Sequence, residues 1–428
     1  MSERKRIYLC LAHMSESGLE QKFIQEAFDT NWVVPLGPNV NGFEKDLEEF
    51  VSLTTNPSPK GEKKINKRVV ALSSGTAAVH LGLIAAGVKT GDEVIVQSFT
   101  FCASTHPITY IGAKPILVDS ETETWNMDPL LLEEAIKDRI VKTGKKPAAI
   151  VPVYLYGMPA KINEIMAIAR KYEIPVVEDA AEGMGSKYNG QVCGTFGEYG
   201  VLSFNGNKMI TTSGGGALIC PNEEKWRKVM FFATQAREAY PYYQHEEIGY
   251  NYRLSNVCAG IGRGQMTIVH DHIAHHRHIA NMYKQAFANV EGIDFHDELV
   301  GMESNFWLST ITLHEDLHVK GEDKAYTQSI KGAVGGAAGV VHANDNIHTD
   351  CEPNRNVEAM RLGLDALGIE SRPLWKPMHK QPVYKNAPAY VNGVSESLFK
   401  KGLCLPSGPC VTDEQVNYII NSIKSLIA

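Results

Sequence analysis

The feature that most constrains the fold is an alternation of short apolar runs and longer amphipathic runs between Val69 and about Cys220. The short runs have the length and composition of buried β-strands: RVVAL, EVIVQ, PILVD, AAIVPVY, IPVVED, GVLSF and GALIC. Between them lie helical patterns such as GTAAVHLGLIAAG and AKINEIMAIARKY. This alternation predicts an α/β fold with a largely parallel sheet covered on both faces. Ligands of such sheets bind on the loops that follow the carboxyl ends of the strands.

The chain has 428 residues, more than one hydrophobic core usually supports, so we expect more than one domain. The pattern predicts an N-terminal arm with helices at 1–55 and a large α/β domain at 56–260. One or two linking helices and a small C-terminal domain are predicted at 261–428. Segment 316–350 is rich in Gly, Ala and Asn without a clear period, which predicts a long loop or flexible insertion.

Charge and apolar content exclude several classes of partner. The formal net charge of −7 disfavours nucleic acid as a partner of the whole surface. No apolar run approaches the length of a membrane span, and the N-terminal run IYLCLA is too short for a signal peptide. Eight scattered cysteines without a CxxC pair suit reduced thiols. We therefore expect a cytoplasmic protein with neither nucleic acid nor a membrane as a partner.

Five histidines occur in HDHIAHHRH, residues 270–278. Histidines three and four residues apart share a face of a helix and can bind a metal ion together. No set of carboxylate or cysteine partners stands out nearby, so we interpret the stretch as a solvated helix surface and predict no metal site.

The stretch SFNGNKMITTSGGG, residues 203–216, places Lys208 among small residues directly after a predicted strand. A lysine confined at a strand end can condense with an aldehyde. Asp179 ends an earlier apolar strand in PVVED, where its carboxylate can pair with a protonated pyridine nitrogen. The pair predicts pyridoxal 5'-phosphate as a cofactor. The alternative for Asp179 is a helix N-cap.

Two further stretches suit the same cofactor. In ALSSGTAAVH, a strand is followed by Ser73, Ser74, Gly75, Thr76 and Ala77, which open a helix, so their backbone N–H groups and hydroxyls can reach a phosphate. In QSFTFCAS, Phe101 follows the next strand and can lie against a cofactor ring. The alternative for Phe101 is a residue of the hydrophobic core.

Over nearly its whole length the chain resembles the DegT/DnrJ/EryC1/StrS family of nucleotide-sugar aminotransferases. These have the fold type I, aspartate aminotransferase-like architecture: a large, mostly parallel sheet domain and a smaller C-terminal α+β domain. The matching motifs are NWVVPLGPNVNGFEKDL, SSGTAAVHLGL, DEVIVQSFTFCAS, VEDAAEGMGS, SFNGNKMITTSGGG, GYNYRLSN and ESRPLWKPMHKQPVY with GLCLPSG.

The resemblance implies roles for individual residues. Lys208 corresponds to the lysine that bonds to pyridoxal phosphate, and Asp179 to the partner of its ring nitrogen. The other cofactor contacts it implies are Gly75, Thr76, Ala77 and Ser203 at the phosphate, Phe101 against the ring, Glu182 near the 3-hydroxyl, and Asn251 at the phosphate of a neighbouring subunit. Candidate substrate contacts are Trp32, Asn205, Tyr252, Arg253, Arg372 and His379. The role of Asn251 implies a homodimer with shared active sites; its alternative is a purely structural loop.

The stretches GYNYRLSN, TQAREAYPYYQHEEIGY and ESRPLWKPMHKQPVY resemble one branch of the family most. That branch uses L-glutamate to aminate C4 of a UDP-2-acetamido-2,6-dideoxy-4-ketohexose for capsular or other surface glycans. The alternatives are a GDP-4-keto-6-deoxymannose 4-aminotransferase, of the perosamine type, and a sugar dehydratase, in which histidine replaces the lysine. A non-catalytic cofactor-binding protein is disfavoured by the Lys208 and Asp179 pair, and a nicotinamide dehydrogenase by the absence of GxGxxG after an early strand. The nucleotide and the configuration of the new amine stay open.

Overall fold

The computed structural model describes residues 6–52, 67–325 and 351–428. Its helices are α1 (Leu19–Asp29), α2 (Pro38–Val51), α3 (Gly75–Ala85), α4 (His106–Tyr110), α5 (Pro129–Thr143), α6 (Ile162–Lys171), α7 (Glu223–Ala233), α8 (Asn256–Met266), α9 (Val269–Phe287), α10 (Arg355–Ala366), α11 (Val394–Lys401) and α12 (Asp413–Leu426). Its strands are β1 (Arg68–Leu72), β2 (Glu93–Gln97), β3 (Lys114–Val118), β4 (Ala149–Val151), β5 (Val177–Asp179), β6 (Lys187–Tyr188), β7 (Gln191–Val192), β8 (Tyr199–Ser203), β9 (Gly216–Cys220), β10 (Ile293–Phe295), β11 (Met302–Glu303), β12 (Ser309–Leu313), β13 (Arg372–Pro373), β14 (Ala389–Tyr390) and β15 (Gly402–Leu405).

The seven predicted strands all form and, together with β14, make up the large sheet. Strands in the order β1-β9-β8-β5 meet strands in the order β4-β2-β3-β14. Two parallel bridges, Ile150 to Val176 and Val153 to Asp179, join the β4 and β5 sides. The sheet is parallel except for β9, which runs antiparallel to β1 and β8. The loop from β8 to β9 contains no crossover helix, so the two strands are neighbours of opposite direction. This loop carries Lys208.

Side chains of the central strands are buried on both faces of the large sheet. Along β2, Ile95 packs into one hydrophobic cluster, whereas Val94 and Val96 pack into another on the opposite face. Alternate residues of a strand point to opposite faces, so continuous apolar runs are required where both faces are covered. This explains why the strands of this sheet lack a polar alternation.

A second sheet, in the order β10-β12-β15-β13, is antiparallel throughout. Helix α12 packs on its hydrophobic cluster through Val416, Ile419, Ile420 and Ile423, which recur at helical spacing. Thr412 and Gln415 form a capping box that fixes where α12 begins.

The three-part domain division stays a proposal. The proposed boundary at 260 falls inside α8, and β14 of the C-terminal part pairs with β3 of the large sheet. Within the predicted insertion 316–350, residues 326–350 lie outside the described residues. Among the described residues, no helix is both long and apolar enough to cross a membrane.

The prediction of a solvated surface for HDHIAHHRH is wrong for two of its histidines. His272 and His276 are almost completely buried in α9. They lie one turn apart on the face that also buries Ile279 and Tyr283 further along the helix. Because histidine is polar, this buried face of the helix was not recognised from the sequence.

Candidate active site

A cavity of about 320 Å³ opens at the carboxyl ends of β1, β5 and β8. Its walls come from the segments that follow these strands and strands β2 and β4, and, from the C-terminal half, from Trp307 and Trp375. The ends of β1, β5 and β8 meet here because the three strands run in the same direction in the sheet. Eight of the residues predicted from the sequence line this cavity: Gly75, Thr76, Phe101, Asp179, Glu182, Ser203, Asn205 and Lys208.

Lys208 extends into the cavity with its side chain 12% exposed. Its Nζ lies 3.4 Å from Oε1 of Glu182 and 3.9 Å from the centre of the Trp307 ring. Burial raises the pKa of the Glu182 carboxyl, and the positive charge of Lys208 opposes this rise. The amine is therefore held between a carboxylate and an aromatic face.

Asp179, the last residue of β5, holds its carboxylate against two donors. Ser104 donates its hydroxyl to Oδ2 at 2.6 Å, and the backbone N–H of Ala181 donates to Oδ1 at 3.1 Å. Burial raises the pKa of this carboxyl, and the hydrogen bond from Ser104 opposes the rise. Within 67–325 no helix begins at Asp179, so the N-cap alternative is wrong.

The N-terminus of α3 forms one end of the cavity. Ser74 caps the helix by accepting the N–H of Ala77 at 3.0 Å, so the predicted phosphate donor Ala77 is already engaged and does not line the cavity. The N–H groups of Gly75 and Thr76 lie in the first turn, where a helix offers no internal acceptor. A Cβ on Gly75 would lie 2.9 Å from Cβ of Ser203, so only glycine allows this close packing. The arrangement suits an anion.

Phe101 is not a core residue, because its side chain is 50% exposed at the cavity. Its ring centre lies 5.5 Å from that of Trp375. The alternative interpretation of Phe101 as a buried residue of the core is therefore wrong.

Three of the predicted residues lie outside the cavity of their own chain, on or near the surface. Trp32 is 40% exposed between α1 and α2, and Asn251 is exposed beyond α7. The hydroxyl of Tyr252 lies 3.3 Å from Nδ1 of His80. Their predicted roles stay predictions.

Three others contact polar partners outside the cavity. The side chain of Arg253 is 8% exposed and pairs with Glu44 and the carbonyl of Ala71. Arg372 pairs with Glu370 at 2.8 Å, and Nδ1 of His379 lies 2.7 Å from the hydroxyl of Ser98. In this chain the Arg253 guanidinium joins α2 to β1 rather than reaching the cavity, which leaves its substrate role a prediction.

Several lining residues were not identified as candidates from the sequence: Ser104, Asn207, Trp307 and Trp375. Ser104 had a signal, because it lies three residues after Phe101 in a motif already assigned to the cofactor. Trp307 precedes β12 of the second sheet, and its sequence surroundings resemble an ordinary buried strand.

The model of the DegT/DnrJ/EryC1/StrS aminotransferase family matches residues 15–349 and 325–424. The chain belongs to this family. It is 41% identical to a putative pyridoxal phosphate-dependent aminotransferase, EpsN, of Bacillus subtilis, across 99% of this chain and 96% of the relative. It is 32% identical to a GDP-perosamine synthase of Escherichia coli O157:H7, across 97% and 98%. A solved DegT/DnrJ/EryC1/StrS aminotransferase from Brucella abortus, 26% identical, aligns with a TM-score of 0.79 across 96% of each chain.

Family membership confirms the predictions of a fold type I architecture, an aminotransferase and pyridoxal phosphate as the cofactor. The residues of this DegT/DnrJ/EryC1/StrS cavity fit that cofactor. The Lys208 amine, the buried carboxylate of Asp179 and the N-terminus of α3 face the same space. An aldehyde, a pyridinium nitrogen and a phosphate each require one of these three groups.

Proposed function

We propose that the chain transfers the amino group of L-glutamate to the C4 ketone of a UDP-2-acetamido-2,6-dideoxy-4-ketohexose. The product is a UDP-2-acetamido-4-amino-2,4,6-trideoxyhexose for capsular or other surface glycans. The observation that carries the proposal is the convergence of Lys208, Asp179 and the N-terminus of α3 on one cavity. The UDP-linked sugar is supported by the resemblance of three motifs to that branch of the family.

Bound pyridoxal phosphate supplies an aldehyde carbon for amines and a ring that withdraws electrons when protonated. In the proposed cycle, Asp179 holds the proton on the ring nitrogen, and Ser104 and Ala181 fix the orientation of its carboxylate. Lys208 would be the residue that holds the aldehyde end of the cofactor, and its amine would move a proton as base and acid. The hydroxyl of Ser203 and the first N–H groups of α3 bind the phosphate.

The remaining cavity wall suits a pyranose. Phe101, Trp307 and Trp375 offer aromatic surface, and Asn205 and Asn207 offer amide groups for hydroxyl and carbonyl oxygens. A cavity that is mostly apolar with a few polar groups fixes the orientation of a ligand while it excludes water.

A GDP-linked 4-keto-6-deoxymannose is the second candidate substrate. One observation favours it: the E. coli relative at 32% identity is named GDP-perosamine synthase. A sugar dehydratase is a weaker candidate, because Lys208 occupies the position where that class carries histidine.

The two substrates can be compared directly. Purified protein with L-glutamate is expected to convert the UDP-linked 4-keto sugar at least about tenfold more efficiently than the GDP-linked one, since the site would contact the base and the 2-acetamido group. 2-Oxoglutarate formation gives the rate, and NMR of the product gives the position and configuration of the new amine. UDP-N-acetylglucosamine, which lacks the ketone, is the matched control. A preference for the GDP-linked sugar would contradict the proposed substrate.

We further propose a homodimer in which Asn251 of one subunit contacts the phosphate site of the other. Asn251 is exposed and lies outside the cavity of its own chain. Nearby surface segments expose apolar side chains that a partner can bury: Trp32, Val33, Val34, Leu36, Tyr242 and Ile248.

Mixing two inactive variants tests this shared site. Hybrid dimers of Lys208→Ala and Asn251→Ala subunits contain one site with both lesions and one with neither. Random exchange of equal amounts leaves about a quarter of all sites intact, so activity should rise above that of either variant. The control replaces the Asn251→Ala subunit with one that carries both substitutions. An exchanging mixture without recovery, where Asn251→Ala by itself is impaired, would place Asn251 in its own chain's site.

A further inference from the structure

The Lys208 amine is contacted by two side chains, those of Glu182 and Trp307. Oε1 of Glu182 lies 3.4 Å from Nζ, and the centre of the Trp307 ring lies 3.9 Å from it. A carboxylate and the face of an indole both attract an ammonium, and more strongly where water is excluded. The Lys208 amine thus has two attractive contacts inside the cavity.

We propose that Trp307 and Glu182 form a resting site that receives the Lys208 amine each time a substrate amine displaces it, with Trp307 as a positioning residue. The inference rests on the proposed role of Lys208. In that displacement, the bond from the Lys208 nitrogen to the cofactor carbon breaks as the substrate nitrogen bonds to the same carbon. Two of the three protons of the substrate's ammonium pass to the Lys208 nitrogen, which leaves as a neutral amine, then accepts a proton from the substrate and rests as an ammonium, so no co-reactant is required.

Trp307 is held rigidly enough to serve as such a site. Its Nε1–H donates to the carbonyl of Asn207 at 2.6 Å, and its backbone N–H donates to Oδ1 of Asn305 at 2.8 Å. The amide of Asn305 donates in turn to the carbonyl of Glu182 at 2.9 Å. Oε2 of Glu182 accepts the backbone N–H of Tyr156 at 2.8 Å. These bonds fix both halves of the resting site relative to each other and to the lysine loop.

Two buried histidines of α9 form hydrogen bonds to the segment that carries Lys208 and to the segment that carries Trp307. Nδ1 of His272 donates to the carbonyl of Met209, which follows Lys208, at 3.0 Å. Nδ1 of His276 donates to the carbonyl of Phe306, which precedes Trp307, at 3.2 Å. Both histidines are neutral near pH 7, because burial lowers the pKa of His272 and lowers that of His276 to about 3. One helix therefore positions the lysine loop and the tryptophan together.

The first test uses the cofactor-free protein. Acetic anhydride reacts with a free amine but not with an ammonium, and mass spectrometry gives the extent at each lysine. Relative to exposed Lys45, Lys208 should be acetylated on the order of tenfold faster in Trp307→Leu, from the strength of a desolvated cation–π contact. Trp307→Phe, which keeps a ring face, should stay near the wild type. Glu182→Gln should also accelerate the acetylation of Lys208. This substitution keeps the size of the side chain, so it does not enlarge the cavity.

The second test uses the holoenzyme and separates kcat from KM. His276→Leu should lower kcat several-fold with little change in the KM for the sugar, whereas His276→Asn, whose amide can replace the Nδ1–H donor, should restore it. His278→Leu is the matched control, since His278 is half-exposed on the same helix and bonds to Asp413 outside the cavity. Its kcat should not change.

Each outcome decides the inference. Unchanged acetylation of Lys208 in both Trp307→Leu and Glu182→Gln would overturn it, and if Trp307→Leu does not fold, Glu182→Gln decides. Equal loss of kcat in His276→Leu and His276→Asn would show that α9 does not position the resting site. Faster acetylation in a protein that aminates neither nucleotide sugar would support the resting site and contradict the proposed function.

Discussion

Lys208→Arg should lower the rate of 2-oxoglutarate formation by about 10³-fold or more. Arginine keeps the positive charge beside Glu182, but its guanidinium is neither a usable nucleophile nor a proton carrier near neutral pH. Borohydride reduction followed by peptide mass spectrometry should find the cofactor covalently attached to Lys208 in the wild type. In the variant, the peptide that contains position 208 should carry no cofactor.

A second lysine provides the control for this substitution. Lys187 lies in β6 of a separate three-stranded sheet, pairs with Glu303 at 3.8 Å and lies outside the cavity. Lys187→Arg should therefore keep the wild-type rate. Turnover by Lys208→Arg comparable to that of the wild type would remove Lys208 from its proposed role.

Asp179→Asn should lower activity by about 10²-fold or more while the protein stays folded, since a neighbouring opposite charge typically shifts a pKa by about 1–3 units. The amide keeps the size of the side chain and can still accept the hydroxyl proton of Ser104, but it cannot stabilise a protonated ring by charge. Steady-state kinetics and cofactor affinity, followed by absorbance, measure the effect. Normal values of both would show that another carboxylate performs this function.

Asp119 is a matched control because it also follows a buried apolar strand and is itself buried. Its carboxylate accepts the backbone N–H groups of Asn392, Gly393 and Ser395 instead of lining the cavity. Asp119→Asn should lower the melting temperature, because the carboxylate binds several N–H groups, but leave the cofactor affinity unchanged.

Much of the fold was accessible from local patterns. Seven of the eight strands of the large sheet were predicted from their apolar runs, and the stretch after GYNYRLSN was predicted as one or two helices, which are α8 and α9. The eight predicted residues that line the cavity lie in motifs directly after strands, where backbone position follows from the strand itself. The antiparallel direction of β9 was not predicted, because it depends on which strands become neighbours.

Three residues near the site were assigned wrongly or not identified from the sequence. His272 and His276 were assigned to a solvated surface because imidazole is polar, although their spacing with Ile279 and Tyr283 places them on the buried face of α9. Trp307 reaches the cavity through the packing of the second sheet against the lysine loop, about a hundred residues away in the chain. The burial of the two histidines follows from their helical spacing, whereas the environment of Trp307 is not encoded in the adjacent sequence.

The sequence by itself determined the α/β class, the family, the cofactor, and Lys208 and Asp179 as the principal candidates, because each of these rests on residues close together in the chain. The local setting of Asp179 does not by itself explain its place in the site, since Asp119 also lies at the end of a buried strand. The tertiary structure decided this: β5 lies beside β8, so Asp179 faces the cavity with Lys208, whereas β3 lies beside β14, so Asp119 binds the segment that follows β14. Strand order arises from the packing of the whole sheet, which minimises exposed apolar area over distant segments, and no single stretch of sequence specifies it.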